Sequence, residues 1–136
     1  MKKIFIAWGR EAELSKYLAK ALDAQFKQIY IKKMAGIKVL VFLRYIIQGF
    51  WTVFFLISKR PKIVIVQNPP IFAPFLILIY AKIFHAKLMI DTHTAGFLDK
   101  KWIKFYSLFK FTARRADLNT CHNYKNLEIL KKWGVR

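Results

Sequence analysis

Two hydrophobic periods alternate along the chain, short unbroken apolar runs and stretches in which apolar residues recur every three or four positions. The run at residues 3–8 stops at Gly9 and predicts a first strand. Over residues 11–23, Leu14, Tyr17, Leu18, Ala21 and Leu22 share one face of a helix. A second strand is expected at 28–31, then a long helix over 38–59. On that helix Arg44, Gln48 and Thr52 stand four apart and form a single narrow polar stripe. Nearly everything else on it is Val, Leu, Phe, Ile, Tyr or Trp, an arc too wide for one sheet face to cover. Some of it must meet another chain, another domain or lipid.

Pro61 closes that region, and the β-branched run at 62–66 suits a strand buried on both faces of a parallel sheet. Gln67-Asn68-Pro69-Pro70 reads as a sharp loop and 71–84 as a helix, with Pro74 tolerable in its first turn. A fourth strand at 87–91 leads into a loop over 92–97. One aromatic and basic helix is expected over 101–115, a short strand at 118–121, and a last helix capped by Asn123 that ends at Trp133 with Gly134 beyond it. Strands alternating with helices of this length predict βαβ units: a single Rossmann-like α/β domain whose parallel sheet of about five strands is flanked by helices. A sixth strand is expected after Gly134-Val135-Arg136.

Two stretches approach the roughly 20 apolar residues of a membrane span. The stretch 39–57 carries Arg44 and Gln48 near its middle, and 63–81 is cut by Pro69, Pro70 and Pro74, so no transmembrane helix is expected. The apolar run at the N-terminus is too short for a signal peptide.

Composition changes the picture in one respect. Of 136 residues 56% are hydrophobic, yet 25 Lys+Arg face only 7 Asp+Glu, a formal charge of +18. A chain both apolar and strongly basic suggests a folded domain held against an anionic surface, with a bilayer the leading candidate. RNA binding fits the charge but not the parallel fold, so no nucleic-acid partner is expected. The single cysteine, Cys121, excludes a disulfide framework and fits a reducing compartment. With three scattered histidines no metal site is expected.

In open parallel sheets, ligands bind beyond the carboxyl ends of the strands. Four loops qualify: Gly9-Arg10, Gln67-Asn68-Pro69-Pro70, Asp91-Thr92-His93-Thr94 and Cys121-His122-Asn123. Only Gly9 of a G-x-G-x-x-G fingerprint is present and there is no Walker A loop, which argues against dinucleotide oxidoreductases and P-loop kinases. The sharpest feature is Asp91-x-His93. In an extended strand both side chains point the same way, and a carboxylate beside an imidazole orients it to take a proton from a hydroxyl. The plainer reading stays open, with Asp91 capping its loop and His93 satisfying buried backbone. Lys100, Lys101 and Lys104, with Trp102 among them, fit either a solvated basic face or a membrane-surface helix. Arg44 and Trp51 on the long helix join them as candidate membrane contacts.

The segments IFIAWGR, RPKIVIVQNPPIFAP, AKLMIDTHTAGF and ARRADLNTCHN, with the basic helix, together resemble the N-terminal half of two-Rossmann (GT-B) glycosyltransferases of the family 4-like bacterial kind. They are also similar to dolichol-linked chitobiosyl β-mannosyltransferases. QNPP and D-x-H-x-x-G-F are the specific patterns, and the likeness spans nearly all of residues 1–136. It implies a lipid-linked or glycan acceptor, acceptor-side roles for Gly9, Arg10, Asn68, Asp91, His93 and Gly96, and a position on the inner face of the cytoplasmic membrane. Thr94 and His122, in the same loops, complete the candidate substrate contacts. No second Rossmann domain lies within these residues. The nucleotide-sugar donor is therefore expected at a donor-binding domain or subunit, with no cofactor on this chain. The alternative expectation is a non-catalytic, membrane-peripheral adaptor that recruits a partner transferase.

Overall fold

A computed structural model describes residues 1–34 and 38–135. The chain runs β1 (Lys3–Ala7), α1 (Glu13–Ala21), β2 (Gln25–Gln28), a 3₁₀ turn (Lys32–Met34), α2 (Lys38–Lys59), β3 (Ile63–Asn68), α3 (Phe72–Phe84), β4 (Lys87–Thr92), α4 (Ala95–Leu98), α5 (Lys100–Ile103), α6 (Tyr106–Arg115), β5 (Leu118–Cys121) and α7 (Tyr124–Lys132). The five strands form one all-parallel sheet in the order β2-β1-β3-β4-β5. The fold is α/β and Rossmann-like, as the alternation of periods predicts. Because β2 lies on one side of β1 and β3 on the other, the connections diverge at the carboxyl ends of β1 and β3. That is the switch point where such sheets open a crevice.

The core divides by sheet face. Ile4, Ile6, Val64, Val66, Leu88 and Ile90 pack with Leu56 of α2 and Ala73 and Ile77 of α3. Phe5 and Ile65 on the other face meet Ala19 of α1. A third cluster joins Ile71, Phe97, Trp102, Phe109, Ala113 and Leu130 around the short helices after β4.

Several local expectations are corrected. The second strand lies at Gln25–Gln28 rather than 28–31. As a sheet edge it needs only Phe26 against Phe5, at 6.1 Å, and its other residues stay polar. The apolar Ile29 beyond it turns into the core. On α1, Leu14 and Tyr17 are exposed; small Ser15 and Ala19 face the sheet instead and bring the helix close to it. The strand at β3 continues through Gln67 and Asn68. The basic helix is two helices, because Phe105 N–H closes onto the Trp102 carbonyl at 2.9 Å and both aromatics turn onto Phe72.

Helix α2 has the expected length and an inverted arrangement. Gln48 and Thr52 are 0% exposed and point into the domain. Trp8 Nε1–H donates to Thr52 Oγ1 at 2.8 Å, Thr52 donates to the Gln48 carbonyl at 2.7 Å, and Gln48 Nε2 donates to the Ile29 carbonyl, with Trp8 O at 3.4 Å. The apolar arc faces outward: Phe42, Phe50 and Phe54 are 70–74% exposed, with Val39, Leu43, Ile46, Trp51 and Ile57 beside them. By length and composition alone Val39–Lys59 is sufficient to cross a membrane. Its polar stripe, however, is bound into the domain.

Removing a partner from a buried hydrogen bond leaves the other group unsatisfied and costs about 1–3 kcal/mol. Gln48→Leu and Thr52→Val are each expected to destabilise the fold by about that amount in urea denaturation. Phe54→Ser, on the outer face, is expected to stay within about 0.5 kcal/mol. Equal losses from all three would show that the helix is docked by its apolar side.

Candidate functional site

The site follows from strand register. β4 and β5 run parallel with Asp91 opposite Thr120 and Thr92 opposite Cys121. A period of two then carries Asp91 and His93 on one strand, and Thr120 and His122 on its neighbour, to the same sheet face. The ladder holds past the end of β4, since His93 N–H donates to the Asn68 carbonyl at 2.8 Å. Two parallel pairs, Asp-x-His and Thr-x-His, thus converge at the carboxyl end of the sheet.

Asp91 is the hub and is 1% exposed. One carboxylate oxygen lies 3.2 Å from His93 Nε2; the other accepts from Thr120 Oγ1 at 2.9 Å and lies 3.4 Å from His122 Nε2. The two imidazole rings are 4.5 Å apart at a 44° tilt. His93 keeps 21% of its side chain exposed, so a substrate can reach it while its partner is sealed below. Burial by itself would push the Asp91 carboxyl up. Hydrogen bonds from His93 and Thr120, with the positive charge available on both imidazoles, outweigh that and hold it below its ordinary value. The hub therefore stays ionised.

The other candidates take distinct places. Gly96 packs tightly: a Cβ there would meet Thr92 Cγ2 at 3.0 Å and Asn68 Nδ2 at 3.4 Å, so glycine lets α4 sit on the ends of β3 and β4. Asn68 is fully buried, with Nδ2 3.3 Å from Thr92 Oγ1 and Oδ1 unpartnered, and it shapes the site from beneath. Thr94 Oγ1 accepts from Asn123 at 3.3 Å and Asn126 at 3.5 Å, tying the β4 loop to the β5 loop. At the switch point Gln28 Nε2 donates to the Gly9 and Arg10 carbonyls at 2.8 and 3.0 Å and fixes that turn, leaving the Arg10 side chain exposed. Gly9 lies against Gln67, whose Oε1 is buried without a partner.

Among the membrane candidates Trp51, Lys100, Lys101 and Lys104 are exposed. Trp102 is corrected: it is 4% exposed, packed on Tyr45 and Phe72, and presents nothing to a bilayer. Arg44 is half-buried over the rings of Tyr30 and Tyr45.

Thr120 and Asn126 were not singled out from the sequence, and Gln67 only as a member of its loop. Thr120 could have been, because Thr120-x-His122 repeats the spacing of Asp91-x-His93. Two of the three histidines are also less scattered than they read, since ligand atoms of Asp91, His93 and His122 all lie within 4.8 Å of one another. Two imidazoles and a carboxylate so spaced could receive a divalent cation; their mutual hydrogen bonds account for the same convergence. Cys121 is a poor nucleophile here, as burial and the nearby Asp91 charge push its thiol up despite a backbone hydrogen bond from Asn123 that favours the thiolate. No protein-family model, curated protein or solved structure matches the chain.

The depressed carboxyl of Asp91 sets a pH dependence with a definite sign. Its interactions contribute stability above the unfolded carboxylate value of about 3.9, and that contribution is lost as pH falls through the lower folded value. Asp91→Asn is expected to cost about 1–3 kcal/mol at pH 7, with the gap to wild type narrowing as pH falls below the ordinary carboxylate value. Thermal melts across that range check it. A gap undiminished at the acid end would assign the loss to shape rather than charge.

Proposed function

We propose that this domain is the acceptor-side half of a glycosyltransferase that works at an anionic membrane surface and draws its nucleotide sugar from a second domain or subunit. The carrying observation is the Asp91–His93 pair, 3.2 Å apart at the carboxyl end of β4, one strand from the switch point. His93 takes the proton from the acceptor hydroxyl as that oxygen attacks the anomeric carbon of the donor sugar. Asp91 holds the imidazole in the tautomer that leaves a nitrogen free to accept, then stabilises the imidazolium that forms. Thr120 and His122 occupy the second carboxylate oxygen and keep it aimed. Gly9 and Arg10 at the neighbouring crevice, with Thr94 at the β4 loop, are the proposed acceptor contacts. The likeness in QNPP and D-x-H-x-x-G-F supports the same assignment.

Membrane attachment is the second part of the reading. The outward apolar face of α2 inserts among headgroups while Lys and Arg residues meet anionic lipid, each contributing on the order of 1 kcal/mol. The excess of cations fits the inner leaflet of the cytoplasmic membrane.

With the donor partner supplied, His93→Ala is expected to lower sugar transfer by about 10²- to 10⁴-fold, the usual cost of losing a positioned base. Asp91→Asn is expected to cost less, since it disturbs the imidazole without removing it. Radiolabelled transfer measures both; near-normal turnover of His93→Ala would favour the non-catalytic adaptor instead.

The protein is expected to sediment with vesicles containing anionic lipid and much less with neutral ones. Salt is expected to release only part of it, because inserted apolar surface is not screened. Equal recovery in the supernatant with both vesicle types would remove the membrane from the proposal.

A further inference from the structure

Hydrogen bonding explains one side of the Asp91 cluster better than the other. His93 Nε2 lies 3.2 Å from one carboxylate oxygen, at the outer end of the normal N–H···O range. His122 Nε2 lies 3.4 Å from the other oxygen, beyond that range, and that oxygen already accepts from Thr120 Oγ1 at 2.9 Å. Asp91 gains little as a hydrogen-bond acceptor from a second imidazole held so far off. The same separations are ordinary for atoms that share one metal ion. With bonds of about 2.0–2.1 Å to zinc, neighbouring tetrahedral ligands stand about 3.3–3.4 Å apart.

Three features make the cluster a site. The register that sets Thr92 opposite Cys121 continues as His93 beside His122, with ring centres 4.5 Å apart, close to the roughly 4.8 Å spacing of adjacent strands. The carboxylate is fixed, because Asp91 is 1% exposed and is held by Thr120, as the carboxylates of metal sites are held by a neighbouring donor. The two imidazoles keep 21% and 30% of their side chains exposed, which gives an ion a way in, room for the rings to turn onto it, and an outer position open to water. Two imidazoles and one carboxylate with an open position are the donor set of hydrolytic zinc centres. Imidazole nitrogen selects a cation of that class over magnesium or calcium, which prefer an all-oxygen shell. Among the described residues no other three His, Cys, Asp or Glu side chains converge in this way.

We propose that Asp91, His93 and His122 bind a single divalent cation of the zinc class, and that its occupancy withdraws His93 from proton transfer. The first part stands on the geometry of the cluster; the second rests on the reading of His93 as the base. For proton transfer His93 presents its Nε2 proton to Asp91 and keeps Nδ1 free to accept. Coordination reverses that arrangement. The ion takes the Nε2 lone pairs of both histidines and a carboxylate lone pair, and water leaves the hydrated ion. The ring proton of each histidine moves through solvent from Nε2 to Nδ1, so the proton count does not change. Nδ1 of His93 then has no lone pair for an acceptor hydroxyl, and sugar transfer stops until the ion leaves. His122 has a purpose here beyond aiming Asp91, since without it the ion keeps only two protein ligands.

The test uses the full chain after treatment with a chelator, with zinc chloride as the probe. Calorimetry is expected to show one zinc ion per chain, and magnesium chloride at the same concentration is expected not to compete. In wild type, zinc is expected to move the imidazole proton resonances of His93 and His122 and to leave those of His85, the exposed histidine after α3. His122→Ala is expected to weaken zinc binding at least about tenfold. If that variant melts early, His122→Gln replaces it. His85→Asn, which suits the left-handed backbone at that position, is expected to bind zinc as wild type does. Undiminished binding in a folded His122 variant, or zinc shifts at His85 alone, overturns the site. With the donor partner supplied, zinc is expected to lower sugar transfer in proportion to its occupancy, and the chelator to restore it. One-to-one binding at the cluster with transfer unchanged or raised by zinc overturns the withdrawal of His93 and leaves the metal site standing. No transfer with or without zinc, beside intact one-to-one binding, defeats the glycosyltransferase reading and not the site.

Discussion

The domain depends on how α2 is fastened. A helix of this composition would ordinarily bury its apolar side and turn its few polar residues to water. Here two buried backbone carbonyls, of Trp8 and Ile29, and one buried indole N–H end beside it, and none can be left unpaired without a penalty of kilocalorie size. Gln48 and Thr52 satisfy them, so the polar stripe must face inward, and the helix has no choice but to show Phe42, Phe50 and Phe54 outside. Tyr80 on α3 secures the far end by donating to the Leu56 carbonyl at 3.1 Å. The same anchoring places Trp8 and Tyr45 side by side, with rings 6.2 Å apart, and so builds the inner wall of an apolar groove between α2 and α3.

The histidine pair depends on a second constraint, the register of β4 against β5. Parallel pairing brings Asp91 level with Thr120, and alternation then stacks His93 beside His122. A one-residue slip of either strand would turn its histidine to the opposite face and leave the buried Asp91 short of donors. Asp117 resists that slip. Its carboxylate accepts from Leu88 N–H at 2.9 Å and pairs with Lys87 at 2.8 Å, pinning the start of β5 to β4.

Much of this was legible from residue order. The strand-helix alternation, the span of α2, the Asn123 cap and the same-side placement of Asp91 and His93 follow from periods that backbone geometry imposes. What was not legible depended on partners distant in sequence. Whether the stripe of Gln48 and Thr52 faces in or out is decided by Trp8 and Ile29, some 20 to 40 residues away. The strand of β2 is polar because it lies at an edge, a position that only the sheet order reveals. Ser15 and Ala19 replace the larger Leu14 and Tyr17 on the buried side of α1 because close approach to the sheet rewards small side chains, which no helical period can signal. The sequence places His122 in a loop of candidate substrate contacts, and only the register sets it beside Asp91; Trp102 reads as a candidate membrane contact, whereas Tyr45 and Phe72 enclose it.

The two sheet faces carry opposite surfaces, and the proposed activity uses that division. The polar cluster of Asp91, Thr120 and the two histidines belongs to the face that Phe5, Ile65 and α1 line, whereas Trp8, α2 and α3 belong to the other. An exposed apolar surface as continuous as that of α2 and the adjoining Ile79 and Ile83 of α3 is rarely left in water by a soluble monomer. Charge supplies the orientation that apolar area cannot, since insertion alone does not distinguish one bilayer leaflet from another and a large cationic excess does. A domain lying on its α2 face keeps the Asp91 face away from the lipid, where a water-soluble sugar donor can approach. The carboxyl end of the sheet is then the one edge shared by both surfaces, since Trp8 and the Gly9-Arg10 turn that follow β1 lie at the same end as the histidine pair.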